Sequence, residues 1–575
     1  MVLFHAKTRS RKENSLQLRV SAVKEKSYSF SFATSSGFSP AAMAFILNEY
    51  LYSFSLKYFL FILATQWLGV VRAEVVPASV FGHNMVLQRN VEVPVWGKAW
   101  PGETIEVVLN KVKVATRADK DGNWMLKLPK QKAGGPYKLE IIADNIIVYN
   151  DVYLGDVWFC SGQSNMDMTV AKEDRYWCGV TNEADEVAKA NYPYIRVFDV
   201  DFTPSHRLQN TVKGKWEICS PQTVGHFSAV AYFFAREIYN RYKVPVGLIT
   251  SAYGASTAET WISKEALEAH PSLKPLLEAY TAKWDKFVAD SAVSMQKYRD
   301  EMSKYQGDLA ALQASAGDVT AKKPKAPRHP DPSIDQHNPY VCYNGMVAGV
   351  IPYAIKGALW YQGESNGPSA NLYREIMETL IADWRMRWGL GDFPFLYVQL
   401  ANYGKPMSKP VEDGSMMIVR EAQAQNLSVK NTGMVVAIDN AGDEPTNIHP
   451  KNKQDIGYRL ALIARAKAYS EKVPYSGPVY KNFRIEGTKI VLSFDQVGRG
   501  LVANKGKLTG FAICGEDKKW VWADAEIKGK TVVVSSAGIE KPVAVRYCWG
   551  TNPPASLKNK DGLWTTHFRT DNNGQ

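Results

Sequence analysis

The sequence predicts an α/β protein: a three-layer α/β/α domain around a mostly parallel sheet, flanked by β-sandwich-like modules at its N- and C-terminal ends. Three observations carry this. From Asp151 onward, short apolar strands alternate with amphipathic helices, the grammar of a parallel sheet covered on both faces. Glu74–Asn150 and the last hundred residues, by contrast, show strand-like runs and turn residues with no helical period. Finally, Val152–Cys160 is β-branched, aromatic or apolar almost throughout, as a strand buried on both faces requires.

The N-terminal segment stands apart from the fold. Lys57 precedes the apolar run Tyr58–Leu68, and Gly69-Val70-Val71-Arg72-Ala73 comes next, with Val71 and Ala73 at the −3 and −1 positions of a cleavage signal. The run is shorter than the roughly 20 apolar residues of a membrane span. We therefore expect residues 1–73 to be a leader, with Met43 as an alternative start, and the mature chain to be exported to the periplasm or the extracellular space without a stable span. Losing 1–73 removes nine Lys/Arg and three Asp/Glu, which takes the net charge from +12 to +6. No basic run with interleaved aromatics remains, so nucleic acid is not an expected partner. The six cysteines, Cys160, Cys178, Cys219, Cys342, Cys514 and Cys548, lack metal-ligand spacing, and neither a metal nor a cofactor is expected. In an exported chain, Cys178–Cys219 and Cys514–Cys548 are the first disulfide pairs to test.

In the N-terminal module (74–150), Thr104–Leu109, Trp124–Leu128 and Tyr137–Ile142 read as strands, with turns at Asp121-Gly122 and Gly134-Gly135-Pro136. The central domain (151–470) continues with strands at Ile195–Phe198, Val246–Ser251, Ile355–Tyr361, Phe395–Leu400 and Met434–Asp439. Its helices are expected at Ser228–Tyr242, Leu372–Trp388, near Val419–Leu427, and at Lys451–Lys467. An insertion at about 264–332 reads as a helical hairpin, ending in a Pro- and Lys-rich linker, that presents a solvated face or a substrate lid. The C-terminal module (471–575) returns to strands at Phe483–Phe494, Gly510–Cys514, Thr531–Ser535 and Val543–Trp549.

In parallel sheets, ligands bind at the carboxyl ends of the strands. Four short motifs each follow a predicted strand: Gly162-Gln163-Ser164-Asn165-Met166, Ser251-Ala252-Tyr253-Gly254-Ala255-Ser256, Trp360-Tyr361-Gln362-Gly363-Glu364-Ser365-Asn366 and Asn447-Ile448-His449-Pro450. A serine at a strand tip beside a helix N-terminus is placed to act as a nucleophile or simply to cap the helix. The motifs together resemble those of the SGNH hydrolases and, within them, the sialate O-acetylesterase family of carbohydrate esterases. The resemblance covers most of the mature chain.

The resemblance implies a role for each motif. Ser164 is the nucleophile and His449 its general base. The oxyanion is held by the backbone N–H groups of Ser164 and Gly254 and by a side-chain amide, Gln362 in preference to Asn366. Glu364 supports neighbouring groups by accepting hydrogen bonds, and Arg420 contacts a sugar carboxylate or forms a structural ion pair. The acid departs from the family pattern: Thr446 and Asn447 stand where an Asp is expected three and two residues before His449. Asp439 is the first candidate, with Asp443 and Glu444 also nearby, and a Ser–His dyad is the alternative. The implied substrate is an acetylated sugar or glycan, either a sialic acid acetylated at position 9 or acetylxylan and similar plant glycans. The competing class is a non-catalytic carbohydrate-binding protein with a decayed site.

Overall fold

The strand that opens the α/β region is longer than the sequence predicts, and it organises the whole molecule. The computed structural model describes residues 74–314, 324–440 and 444–571; the expected leader lies outside the described residues. Strand β1 spans Ile146–Gly162, so the boundary expected between residues 150 and 151 falls inside it. Its first half pairs antiparallel with Gly134–Ile142 of the N-terminal region, and its second half is the centre of the parallel sheet. The other strands are β2 (Tyr192–Val200), β3 (Gly214–Cys219), β4 (Val246–Ala252), β5 (Gly357–Tyr361), β6 (Phe395–Val398) and β7 (Thr432–Val435). Their order is β3-β2-β4-β1-β5-β6-β7, and only β3 runs antiparallel to its neighbour. N-terminal strands extend this sheet to eleven.

The apolar run of β1 has its predicted cause. Val157 and Phe159 enter one core and Trp158 and Cys160 the other, alternating as the pleat demands. The Trp158 face is covered by α2 (Ala229–Tyr242) and α6 (Lys453–Lys467), with Phe234, Leu460 and Ile463 against the sheet. The Phe159 face is covered by α4 (Tyr373–Trp388) and α5 (Ser415–Gln425). On α4 the stripe Ile376, Met377, Leu380, Ile381 and Trp384 is buried, as its helical spacing predicts. The same core takes in N-terminal residues such as Val95, Val107 and Trp124, so that region packs as part of the central domain.

The insertion differs from the expected hairpin. After the short helix Lys264–Ala269, a single helix α3 runs from Lys274 to Ala314, 41 residues or about 60 Å. Leu277 and Tyr280 anchor its first turns, and Trp284 stacks on His206 with ring centroids 3.7 Å apart. Beyond Trp284 no described side chain of α3 is buried. That explains the reading: a helix so rich in charge has no core-facing stripe to show where it ends. No helix of the described residues is long and apolar enough to cross a membrane.

Two four-stranded antiparallel sheets and a two-stranded one form the C-terminal module, with Leu492, Val534, Ile513 and Val545 in a common core. Ile438, just past β7, joins that core and ties the module to the parallel sheet. All six cysteines are buried free thiols, so neither expected disulfide pair is bonded.

Candidate active site

The chain crosses from β2 to β4 on one side of β1 and then to β5 on the other, so the sheet's switch point is at the C-terminal end of β1. There Gly162 has φ +144°, and a Cβ at this position would lie 2.2 Å from the Tyr361 carbonyl oxygen. Only glycine lets the chain turn here against β5. The turn delivers Ser164 as the first residue of the short helix α1 (Ser164–Asp167), buried to 7% exposure.

His449, on the loop before α6, meets it: Nε2 lies 2.8 Å from Ser164 Oγ. In the neutral tautomer the hydroxyl donates to Nε2, the arrangement that lets the imidazole receive the serine proton. Burial, and secondarily the Lys453 charge, hold the His449 imidazole down at about 4. His449 therefore stays neutral down to about pH 4, so kcat/KM is expected to fall only as pH drops through about 4, not near the ordinary value of 6.5. A pH–rate profile with its acid limb near 6.5 would contradict this.

Asp439 does not reach the histidine. Both of its oxygens accept from Arg459 of α6, at 2.8 Å each, while Arg459 Nη1 also donates to the Val436 carbonyl. The helix packed beside β7 has captured this carboxylate, which lies past the strand's end. Asn447 turns inward instead: its Oδ1 accepts the His449 backbone N–H at 2.9 Å. Glu444 is exposed and interacts with Asn447 and Lys451; Asp443 lies outside the described residues. Among the described residues His449 Nδ1 has no hydrogen-bond partner. Asp439→Asn is accordingly expected to leave kcat within about threefold and to lower stability by about 1–2 kcal/mol, read by steady-state kinetics and urea titration.

The oxyanion assignments divide. Gly254 lies beside the nucleophile: a Cβ on it would be 3.7 Å from Ser164 Cβ and 3.6 Å from the Trp177 ring, ordinary contact distances. Protein packing therefore does not demand glycine at 254. Gln362, preferred as the side-chain donor, is wholly buried, and its Nε2 is already committed to the Ser256 carbonyl and Asn366 Oδ1. Its Oε1 accepts from Tyr373. Asn366 is spent likewise, donating to Glu259 and Ser369 and accepting from the Ala258 N–H. These amides brace the loop after β5, and neither presents a donor to a substrate.

Arg420 makes neither expected contact. It is wholly buried and donates to the carbonyls of Leu400, Ala401, Gly550 and Thr551. Burial lowers its guanidinium to about 10. Four of its five N–H donors stitch the loop after β6 to the C-terminal module.

Three groups have no role in the sequence reading. Trp177 stacks on His449 with ring centroids 5.6 Å apart, and the exposed Tyr176 stands edge-on to the same ring. Asp167, at the end of α1, pairs with Arg175 at 2.7 Å. Burial raises its carboxyl and the Arg175 cation opposes that rise. Asn165 and the buried Lys453 join the nucleophile's helix to the histidine loop. Asn165 and Lys453 sit in or beside the motifs, but burial of a lysine has no sequence signature.

Residues 336–465 match the family model described as carbohydrate esterase, sialic acid-specific acetylesterase. The crystal structure of a carbohydrate acetylesterase from Xanthomonas citri superposes with a TM-score of 0.71 at 32% identity, covering 87% of this chain and 100% of that one. The chain belongs to the sialate O-acetylesterase family of carbohydrate esterases. The sialate O-acetylesterases of Mus musculus and Homo sapiens are 29% and 28% identical to it, over 83% of this chain and 90% and 88% of theirs.

Proposed function

We propose that this enzyme is a carbohydrate O-acetylesterase that removes acetyl groups from sugar hydroxyls through an acyl-enzyme formed on Ser164. The observation that carries the reading is the 2.8 Å contact between Ser164 Oγ and His449 Nε2 at the sheet's switch point. In the first step Ser164 Oγ attacks the acetyl carbonyl carbon and its proton passes to His449 Nε2. The tetrahedral intermediate then collapses: the bond to the sugar oxygen breaks and His449 returns the proton to that oxygen, which leaves as a hydroxyl. Water, deprotonated by His449, attacks the acetyl-serine, and acetate departs with Ser164 restored. The Ser164 and Gly254 backbone N–H groups are our proposed oxyanion donors. Because both Gln362 and Asn366 are committed elsewhere, no side-chain amide is assigned to the hole.

With Asp439 held by Arg459, we read the core of the machinery as a Ser–His pair whose ring is held by contacts other than that carboxylate. Stacking by Trp177 and the Asn447 bond to the His449 backbone support this. Acetylated sialic acids fit the family's namesake chemistry, and acetylated plant glycans would use the same steps. The leader-like sequence supports export as part of the proposal. The test compares acetate release from O-acetylated sialic acid, acetylxylan and p-nitrophenyl acetate by the enzyme and its Ser164→Ala variant. Serine-dependent release from a sugar ester is expected. Sugar binding without release from any of the three would favour a carbohydrate-binding protein instead.

A further inference from the structure

We infer that Lys453 is a positioning residue for the Ser164–His449 pair, clamping the histidine loop to the nucleophile's helix through Asn165; this rests on the esterase reading above. Lys453 opens α6 and is wholly buried. Its Nζ donates to Asn165 Oδ1 at 2.6 Å and to the Pro450 carbonyl at 2.7 Å. Asn165, the residue after the nucleophile, donates from Nδ2 to the Ile448 carbonyl at 3.1 Å and to Glu364 Oε1 at 2.6 Å. The two carbonyls that bracket His449 are thus each tied down, one by Asn165 and one by Lys453, and the two ties meet in the Asn165–Lys453 bond.

The charges suit this task. The Asn165 amide lies between an ammonium at its oxygen and a carboxylate at its nitrogen, so both bonds are charge-assisted. Lys453 Nζ also lies 5.3 Å from the centre of the Tyr361 ring. Burying an ammonium is costly unless such partners offset the loss of water. Burial brings the lysine down to about 7, with Glu364 opposing the shift, and burial raises the Glu364 carboxyl. An apolar side chain could fill the same space more cheaply. It could not hold two oxygens on different segments at once. The clamp matters because His449 Nδ1 has no described acceptor, so beyond the Trp177 stack the ring takes its place from its backbone, and displacements of about 1 Å can cost about 10²-fold in rate.

Kinetics of the full chain on p-nitrophenyl acetate and an O-acetylated sugar test this. Lys453→Met is expected to lower kcat by about 10²-fold while KM stays within about threefold. It should also move the acid limb of kcat/KM upward, because the cation that disfavours the imidazolium is gone. The other charged groups about His449 are Glu364 behind Asn165 and the Asp167–Arg175 pair beside Trp177, and this variant leaves both in place. Asn165→Asp is nearly isosteric, keeps an acceptor for Lys453, and removes the donor to both Ile448 and Glu364, setting a second carboxyl beside Glu364. It should lower kcat tenfold or more without raising KM, and it decides the matter if Lys453→Met does not fold. Wild-type kcat in either folded variant would overturn the inference. So would an unmoved acid limb in folded Lys453→Met. If the unaltered enzyme releases no acetate at all, the esterase reading itself falls.

Discussion

Alanine at Ser164 or at His449 is expected to lower kcat for acetyl-ester hydrolysis by roughly 10³ or more while leaving the fold intact. The two side chains act as one device. Without Ser164 there is no acyl-enzyme; without His449 the hydroxyl keeps its proton and the departing sugar oxygen receives none. The double variant is therefore expected to be scarcely worse than either single one. The fold should survive because neither side chain is an anchor of the apolar cores flanking β1. Near-full activity in His449→Ala would remove the general base from the mechanism. Steady-state kinetics with thermal melts as the folding control reads both outcomes.

Loss of Arg420 is expected to have the largest effect on stability. Arg420→Leu should lower the unfolding free energy by about 3–5 kcal/mol, because it strands several buried carbonyls at once. Those carbonyls belong to Leu400 and Ala401 in the central domain and to Gly550 and Thr551 in the C-terminal module. The variant should therefore also expose the junction between the two to limited proteolysis. A guanidinium that recognised a sugar carboxylate would give the opposite result, raised KM for acidic sugars and an unchanged denaturation midpoint. Urea titration and KM for a charged and a neutral ester distinguish the two.

Each sequence pattern was legible to the extent of the physical constraint behind it. The alternation of strand and helix pointed to the parallel sheet, since β1, β4 and β5 are buried on both faces and carry the apolar runs that this demands. The motif positions led to the Ser164–His449 contact, because the strand tip that carries Ser164 and the loop before α6 that carries His449 meet at the sheet's carboxyl edge. Hydrogen-bond assignment was not legible. Gln362 looks like a donor in the chain, and only the folded loop reveals that Ser256 and Asn366 have already taken its N–H groups. Asp439 looks like the triad acid until Arg459, twenty residues on, arrives from α6 with a fork that fits both oxygens. Lys453 was invisible for a different reason: a lysine at a helix start reads as solvated, and nothing local reveals that the nucleophile's own neighbour accepts from it. Polar partners set by tertiary packing are the part that a single sequence does not display.

The most direct measurement of the central claim is the site of covalent capture. The enzyme is treated with a serine-directed organophosphonate, digested and mapped by mass spectrometry. A single adduct on Ser164 is expected, formed much more slowly in His449→Ala. An adduct on another serine, with Ser164 unmodified and esterase activity lost, would contradict the account.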